Sequence, residues 1–375
     1  MAQSDDPRVT VIPMTNAALA AVKTPFLAFE HPFKDRPGRF TRQADEIVMT
    51  CHSILFGDTW PDSYWAPTPF PSVPVPRDLD FAHKFDGIQA WPETILYNTS
   101  LARTYTIDEA IVYRPTVHFW GQISDTIIEK ADWTWAVSRE TALYVDDRGR
   151  YPIPAPSPVT LPPEACELSV IVIEDRFVKD AALSMDSLDR QTVKEWQLIY
   201  IDATDGKPLG KAFNEALAKA KGKYIAVWDL HQKSDPSRFE LQLKTGADCI
   251  ETGYGVDKAG AIREVHLPIP LPHAYTYASR TVSGTSGTYM FHRRIFERLG
   301  GCIECLHTGH LYDLYLRILQ DRELSIAMVD KVLVFGDAVE LLHGRIYSQF
   351  VFNDIANNHR AKEGFHEWAI FDREK

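Results

Sequence analysis

From Leu168 onward the chain alternates short apolar runs with polar, helix-compatible stretches, and that alternation leaves few folds open. Leu168–Ile173 (LSVIVI), Gln197–Ile201 (QLIYI) and Tyr224–Trp228 (YIAVW) are short and rich in β-branched or aromatic residues, as buried strands are. Helix is expected near Lys179–Asp189 and over Phe213–Lys221 (FNEALAKAK), with Gly222 as its C-terminal stop. Strand, helix, strand, helix, strand is the pattern of a parallel sheet with helices on its faces. Such sheets bind ligands beyond the carboxyl ends of their strands. Asp229 closes the third run and therefore stands where chemistry is expected.

A length of 375 residues suits two domains, and 45% hydrophobic with 24% charged residues is ordinary globular usage. The net charge of −11 repels phosphate backbones, so nucleic acid is not an expected partner. No run reaches the ~18 apolar residues of a membrane span. The opening Met-Ala-Gln-Ser-Asp-Asp is polar and acidic, unlike a secretory leader. Cys51, Cys166, Cys249, Cys302 and Cys305 are an odd set in a long chain, which suits a reducing compartment. The expectation is a cytoplasmic protein.

Two proline-rich stretches, Pro61–Pro76 and Pro152–Pro163, can be neither helix nor central strand. The first reads as a surface loop and the second as an extended linker. The expected order is a first domain over 1–150, a linker over 151–166, a second domain over 167–345 and a helical C-terminal segment over 346–375. The halves also echo each other. Asn16–Gln43 and Asn214–Gln242 share N-x-A-L-A, an apolar run, then [RD]-P-x-R-F-x-x-Q. A weaker echo pairs Ala131–Val137 with Leu311–Arg317. Both in one order point to a duplicated fold, with the N-terminal copy truncated and lacking room for the first strand and helix.

The second half resembles the inverting glycosyltransferase family two from about Leu168 to His343. The pieces arrive in family order. After LSVIVI come SLDRQT (Ser187–Thr192) and EWQLIYID (Glu195–Asp202). Then come YIAVWD and DPSRFELQ (Asp235–Gln242), SGTSGTYMFHRRIFERLGG (Ser283–Gly301), HLYDLYLRI (His310–Ile318) and LLHG (Leu341–Gly344). The resemblance implies a GT-A fold, that is, a Rossmann-like α/β mixed sheet with helices on both faces, in a tandem of one full and one truncated copy. It implies a nucleotide-diphosphate sugar as donor, Mn²⁺ or Mg²⁺ as cofactor, and a glycan or other hydroxyl as acceptor.

A divalent cation neutralises a departing diphosphate, and one base takes the acceptor's proton. By the resemblance, Asp175, Asp202 and Asp229 would hold the nucleotide. Asp229, His231 and His343 would face the metal, and Asp313 or His310 would be the base. The chain departs from the family at several of these positions. The Asp-x-Asp motif reads Asp229-Leu230-His231, Ala203 stands for one acid of the second strand, and His310-Leu311 replaces a Glu-Asp pair. In the N-terminal copy the motif position reads His31-Pro32-Phe33, with Asp132 at its base-like position.

A catalytically inactive GT-A-like protein binding a glycan, nucleotide or protein partner is the alternative such departures raise. A nucleotidyltransferase ranks below it, because Glu174-Asp175-Arg176-Phe177 holds no phosphate-loop glycine. Two other candidates stand apart. Cys302, Cys305, His307 and His310 have zinc-ligand chemistry within one short segment. Trp60, Tyr64, Trp65, Phe70 and Trp91 offer faces on which sugars stack.

Overall fold

The computed structural model describes residues 9–29, 50–51, 95–130, 136–137, 153–178, 181–258, 261–266, 286–336 and parts of 348–359. The chain divides into two compact units, Met1–Tyr151 with His366–Lys375, and Pro152–Phe365. No helix among the described residues is long and apolar enough to cross a membrane.

In the first unit β1 (Val9–Ile12) leads through α1 (Asn16–Ala21) to β2 (Phe26–Phe29). Next come β3 (Thr50–Cys51), β4 (Ile95–Asn98), α2 (Thr99–Ala102), α3 (Pro115–Lys130) and β5 (Ala136–Val137). The sheet order is β1-β2-β4-β3-β5. Thr15 caps α1, its hydroxyl accepting from the Ala18 N–H at 3.1 Å.

The second unit opens with β6 (Cys166–Asp175), α4 (Ala182–Asp189), β7 (Gln197–Ala203), α5 (Leu209–Leu217) and β8 (Gly222–Asp229). It continues with β9 (Gln232–Ser234), α6 (Arg238–Leu243), β10 (Cys249–Lys258) and β11 (Ala261–His266). Last come β12 (Met290–His292), α7 (Arg294–Leu299), α8 (His310–Gln320) and β13 (Ile326–Gly336). The sheet runs β7-β6-β8-β12-β10-β13-β9, with β11 on β10. Strands β7, β6 and β8 are parallel, while β12 is antiparallel to both β8 and β10. A Rossmann-like half therefore continues into a mixed half, as in the GT-A fold.

Alternation along the strands splits the core in two. Leu168, Val170 and Val172 of β6 meet Leu188 of α4 and Phe239 of α6 on one face. On the other, α5 and α7 meet through Phe213 and Phe296, whose rings are 6.1 Å apart, and Tyr315 of α8 lies 5.1 Å from Tyr289. Helices thus cover both faces.

The three apolar runs are strands as expected, but the glycine after the second helix has another role. The helix ends at Leu217, and Gly222 opens β8. A Cβ there would stand 2.3 Å from the backbone N of Ser169, so the parallel pair closes only over glycine. The extended segment from Pro152 belongs to the second unit. Ser157 accepts from the Gly301 N–H at 2.8 Å, and Pro162 accepts from Arg293 Nη2 at 2.7 Å. Pro61–Pro76 lies outside the described residues. Of the C-terminal segment, the described positions within 348–359 are helical.

Candidate functional site

Strand register decides which strand-end acids meet. Ile173 of β6 lies beside Asp229 of β8, and Asp175 is two residues further along, on the same face. Asp202 lies beside Glu174 and takes the opposite face. Asp175 and Asp229 are thus brought together, and Asp202 is not. The exposed Asp202 carboxylate accepts from the Thr204 hydroxyl at 2.6 Å and its N–H at 2.9 Å, which hold it below the usual range. Its neighbours on that face are Glu174 and Tyr200, which share a hydrogen bond.

His231 spans the two acids of the first face. Its N–H donates to Asp229 Oδ1 at 2.9 Å, and its ring Nε2 stands 3.5 Å from Asp175 Oδ1. Asp175 is buried and accepts the Phe177 N–H at 2.7 Å, while His231 is exposed. The Asp229 carbonyl accepts from the Ser184 hydroxyl at 3.1 Å, which accepts in turn from the Trp228 indole at 3.0 Å. The sharp turn after β8 is therefore fastened to both α4 and the core.

Below this turn lies Arg238, 1% exposed. It donates to the Val227 carbonyl at 3.0 Å, to Ser234 Oγ at 3.2 Å and to Gln242 Oε1 at 3.2 Å. Burial pushes its pKa down to about 9, against the opposing pull of Asp229, so it carries a positive charge at neutral pH beneath the acid. Gln242 donates to the Thr288 carbonyl at 2.9 Å. The Arg and Gln of DPSRFELQ thus brace the end of β8 against the Ser286–Thr288 turn. Gly287 of that turn admits Gln232: a Cβ there would stand 2.1 Å from Gln232 Oε1 and 3.4 Å from Asp229 Cβ.

A cation is tested by the donors present. Two ligands about 2.1 Å from one ion stand ~3–3.5 Å apart, and His231 Nε2 and Asp175 Oδ1 have that spacing. Among the described residues no three His, Cys, Asp or Glu side chains gather as a metal site. One carboxylate and one imidazole leave most of an ion's ligands to water and substrate phosphates, and the imidazole suits Mn²⁺ better than Mg²⁺. His343 lies outside the described residues. The zinc reading of Cys302, Cys305, His307 and His310 is not met. Asn214 clasps both backbone groups of Cys302, and the His310 ring lies 6.0 Å from that of Phe213. The four donors do not converge.

The two base candidates sit at the start of α8. Asp313 is buried, with Arg317 Nε 2.9 Å from Oδ2 and His359 Nε2 2.8 Å from Oδ1. Burial raises its pKa, but the His359 hydrogen bond and the Arg317 charge prevail and hold it below the usual carboxylate range. His310 is buried and pushed down to about 4, so it is neutral at pH 7. Its Nδ1 has no hydrogen-bond partner among the described residues.

Asp132, His31-Pro32-Phe33 and the aromatics Trp60, Tyr64, Trp65, Phe70 and Trp91 lie outside the described residues. Sequence reasoning missed Gln232, Arg238 and Glu251. Glu251, on β10, is buried, accepts the Tyr315 hydroxyl at 2.9 Å and is pushed up to about 7, chiefly by burial. Only the Arg238–Gln242 spacing, one helical turn, was a signal for any of them.

No protein-family model and no curated protein matches the chain. Solved structures do. S. aureus TarS 1–349 is 16% identical with a TM-score of 0.36, over 52% of this chain and 72% of that one. The same protein in complex with UDP-GlcNAc is matched at 15% identity and a TM-score of 0.35, over 46% and 59%. The mannosyltransferase PcManGT from Pyrobaculum calidifontis, in complex with GDP-Man and Mn²⁺, is 14% identical with a TM-score of 0.31, over 57% and 79%. At these levels likeness assigns nothing to this chain, and the functional argument rests on the residues at the strand ends.

Proposed function

We propose that the second unit is a glycosyltransferase, moving a sugar from a nucleotide-diphosphate donor to a hydroxyl acceptor with inversion and the help of a divalent cation. One observation carries this reading. Asp175 and Asp229 share a face at the carboxyl ends of adjacent parallel strands, with His231 between them. Ligands of such sheets bind at this edge.

In this reading Asp175 and His231 would hold a cation beside Asp229, and when bound it would neutralise the departing diphosphate. His343, outside the described residues, is proposed as a further metal contact on the sequence resemblance alone. The backbone bond from His231 fixes the Asp229 carboxylate, and Arg238 holds the strand end beneath it. Asp202, on the other face, is left the outer edge of the nucleotide. Of the two base candidates His310 is the less committed, because both oxygens of Asp313 are engaged. Burial makes the His310 imidazole a weak base, and the approach of a negative diphosphate favours its protonated form.

A thermal-shift screen against UDP-, GDP-, ADP- and CMP-sugars, each with and without Mn²⁺, tests the proposal. A ligand at about 100 times its dissociation constant stabilises the native state by about 2.7 kcal/mol. The expected result is a Mn²⁺-dependent shift with one nucleotide, absent in Asp229→Ala. Binding without turnover would leave an inactive binding protein, and no shift with any donor would refute the site.

A further inference from the structure

The described parts of the two units share strand order, strand direction and one side-chain clasp. Strand order and direction agree: β1, β2, β4, β3 and β5 stand where β6, β8, β12, β10 and β13 stand, with parallel, antiparallel, antiparallel and parallel junctions in both. Register agrees too. Phe26 pairs with Val9 on one side and Asn98 on the other, as Tyr224 pairs with Leu168 and His292.

The repeated asparagine supplies a more specific match. Asn16 Nδ2 donates to the Ile107 carbonyl at 2.8 Å, and its Oδ1 accepts the Ile107 N–H at 2.8 Å. Asn214 does the same to Cys302 at 2.9 and 2.8 Å. Each clasped loop then leads to a helix entered through a left-handed residue, Arg114 at φ 55° and Gly309 at φ 74°. Glycine takes that conformation freely, but arginine rarely does, so Arg114 keeps at some cost the step that Gly309 makes in the second unit. One turn into each helix the pair Asp313–Arg317 has its counterpart in His118–Gln122, whose Nδ1 and Nε2 are 3.5 Å apart.

We propose that the first unit is a second copy of the GT-A fold that has shed the donor-binding limb, leaving the chain one nucleotide site. Everything between Ile171 and Asn214 of the second unit, namely the end of β6, α4 and β7 with Asp175 and Asp202, is replaced in the first by Pro13–Thr15. The truncation therefore spares the first strand, since β1 takes the place of β6, and removes the helix and strand after it. The weaker sequence echo is corrected as well. The counterpart of α8 is α3, so the base-like position falls on His118, and Ala136–Val137 matches the start of β13.

The single-site claim rests on the glycosyltransferase reading, so two measurements separate them. Calorimetric titration of the full chain with the nucleotide identified by the screen is expected to give one equivalent, lost in Asp229→Ala. Two equivalents, or one that survives Asp229→Ala, would overturn the proposal. Hydrogen exchange tests the duplication without any nucleotide. Asn16→Ala should speed exchange of the Ile107 amide roughly tenfold, and Asn214→Ala that of Cys302, each leaving the other unchanged. If neither amide responds, the repeated clasp is absent and the duplication fails. If both respond and no nucleotide binds, the duplication stands and the single-site claim falls with the glycosyltransferase reading.

Discussion

Replacing Glu251 by Gln should stabilise the protein at pH 8 and leave it almost unchanged at pH 4. Glu251 is 3% exposed, accepts one hydroxyl bond from Tyr315 and shares its surroundings with Cys249 and Tyr289. None of these is a cation. Burial therefore favours the neutral carboxyl and pushes its pKa up from 4.5 to about 7. Linkage gives the sign. A carboxyl raised in the folded state contributes fully below its unfolded value. That contribution is lost as pH climbs from about 4.5 through about 7, and stability is then flat at a lower level. The gap of about 2.5 pH units, at about 1.36 kcal/mol each, is worth about 3 kcal/mol. Glutamine keeps the acceptor for Tyr315 and carries no charge at any pH. Urea unfolding of both proteins from pH 4 to pH 8 should show the variant gaining about 3 kcal/mol over the wild type across that range. A difference that stays constant with pH would show that Glu251 is not held neutral, and the reasoning would fail.

Asp313→Asn should cost about 3–5 kcal/mol by leaving Arg317 and His359 without their shared anion. A fall in kcat at unchanged stability would instead make Asp313 the base. Arg238→Met strands the Val227 carbonyl, Ser234 and Gln242, and should lower stability by about 2–4 kcal/mol in chemical denaturation. Gly287→Ala places a methyl 2.1 Å from Gln232 Oε1 and should weaken donor binding at least tenfold in a titration, with the fold kept by circular dichroism. Gly309→Ala forces a side chain into the left-handed region 2.8 Å from Ile355 Cδ1, for a loss of about 1–3 kcal/mol on thermal unfolding.

The parallel half of the second unit was legible because β6 and β8 are buried on both faces, so LSVIVI and YIAVW are continuous apolar runs. β7 is the edge strand, and QLIYI is apolar enough to read as a strand although Leu198 and Tyr200 are exposed. Asp229 followed from its position at a strand end. What sequence could not show was face. Asp202 and Asp175 end neighbouring strands and look equivalent as text, yet a shift of one in pairing puts them on opposite sides. Nor could it show that Asp313 would be enclosed, because His359 comes from a distant segment. On the duplication proposed above, the asparagine is the part of the repeat that sequence marks, and the second echo pairs segments that are not counterparts. The spacing from Asn16 to α3 is nearly kept in the chain, but with Arg114 set against Gly309 only Ile123 and Ile318 coincide between α3 and α8. Burial and the clasped loop preserved the geometry while side chains changed.

The most direct test of the central claim is a crystal structure of the chain with the nucleotide identified by the screen and Mn²⁺. The proposal predicts the diphosphate at the carboxyl ends of β6 and β8, with Asp229 and His231 within coordination distance of the ion and the nucleobase reaching toward Asp202. A nucleotide bound away from that edge, or an ion that touches neither Asp229 nor His231, would contradict it.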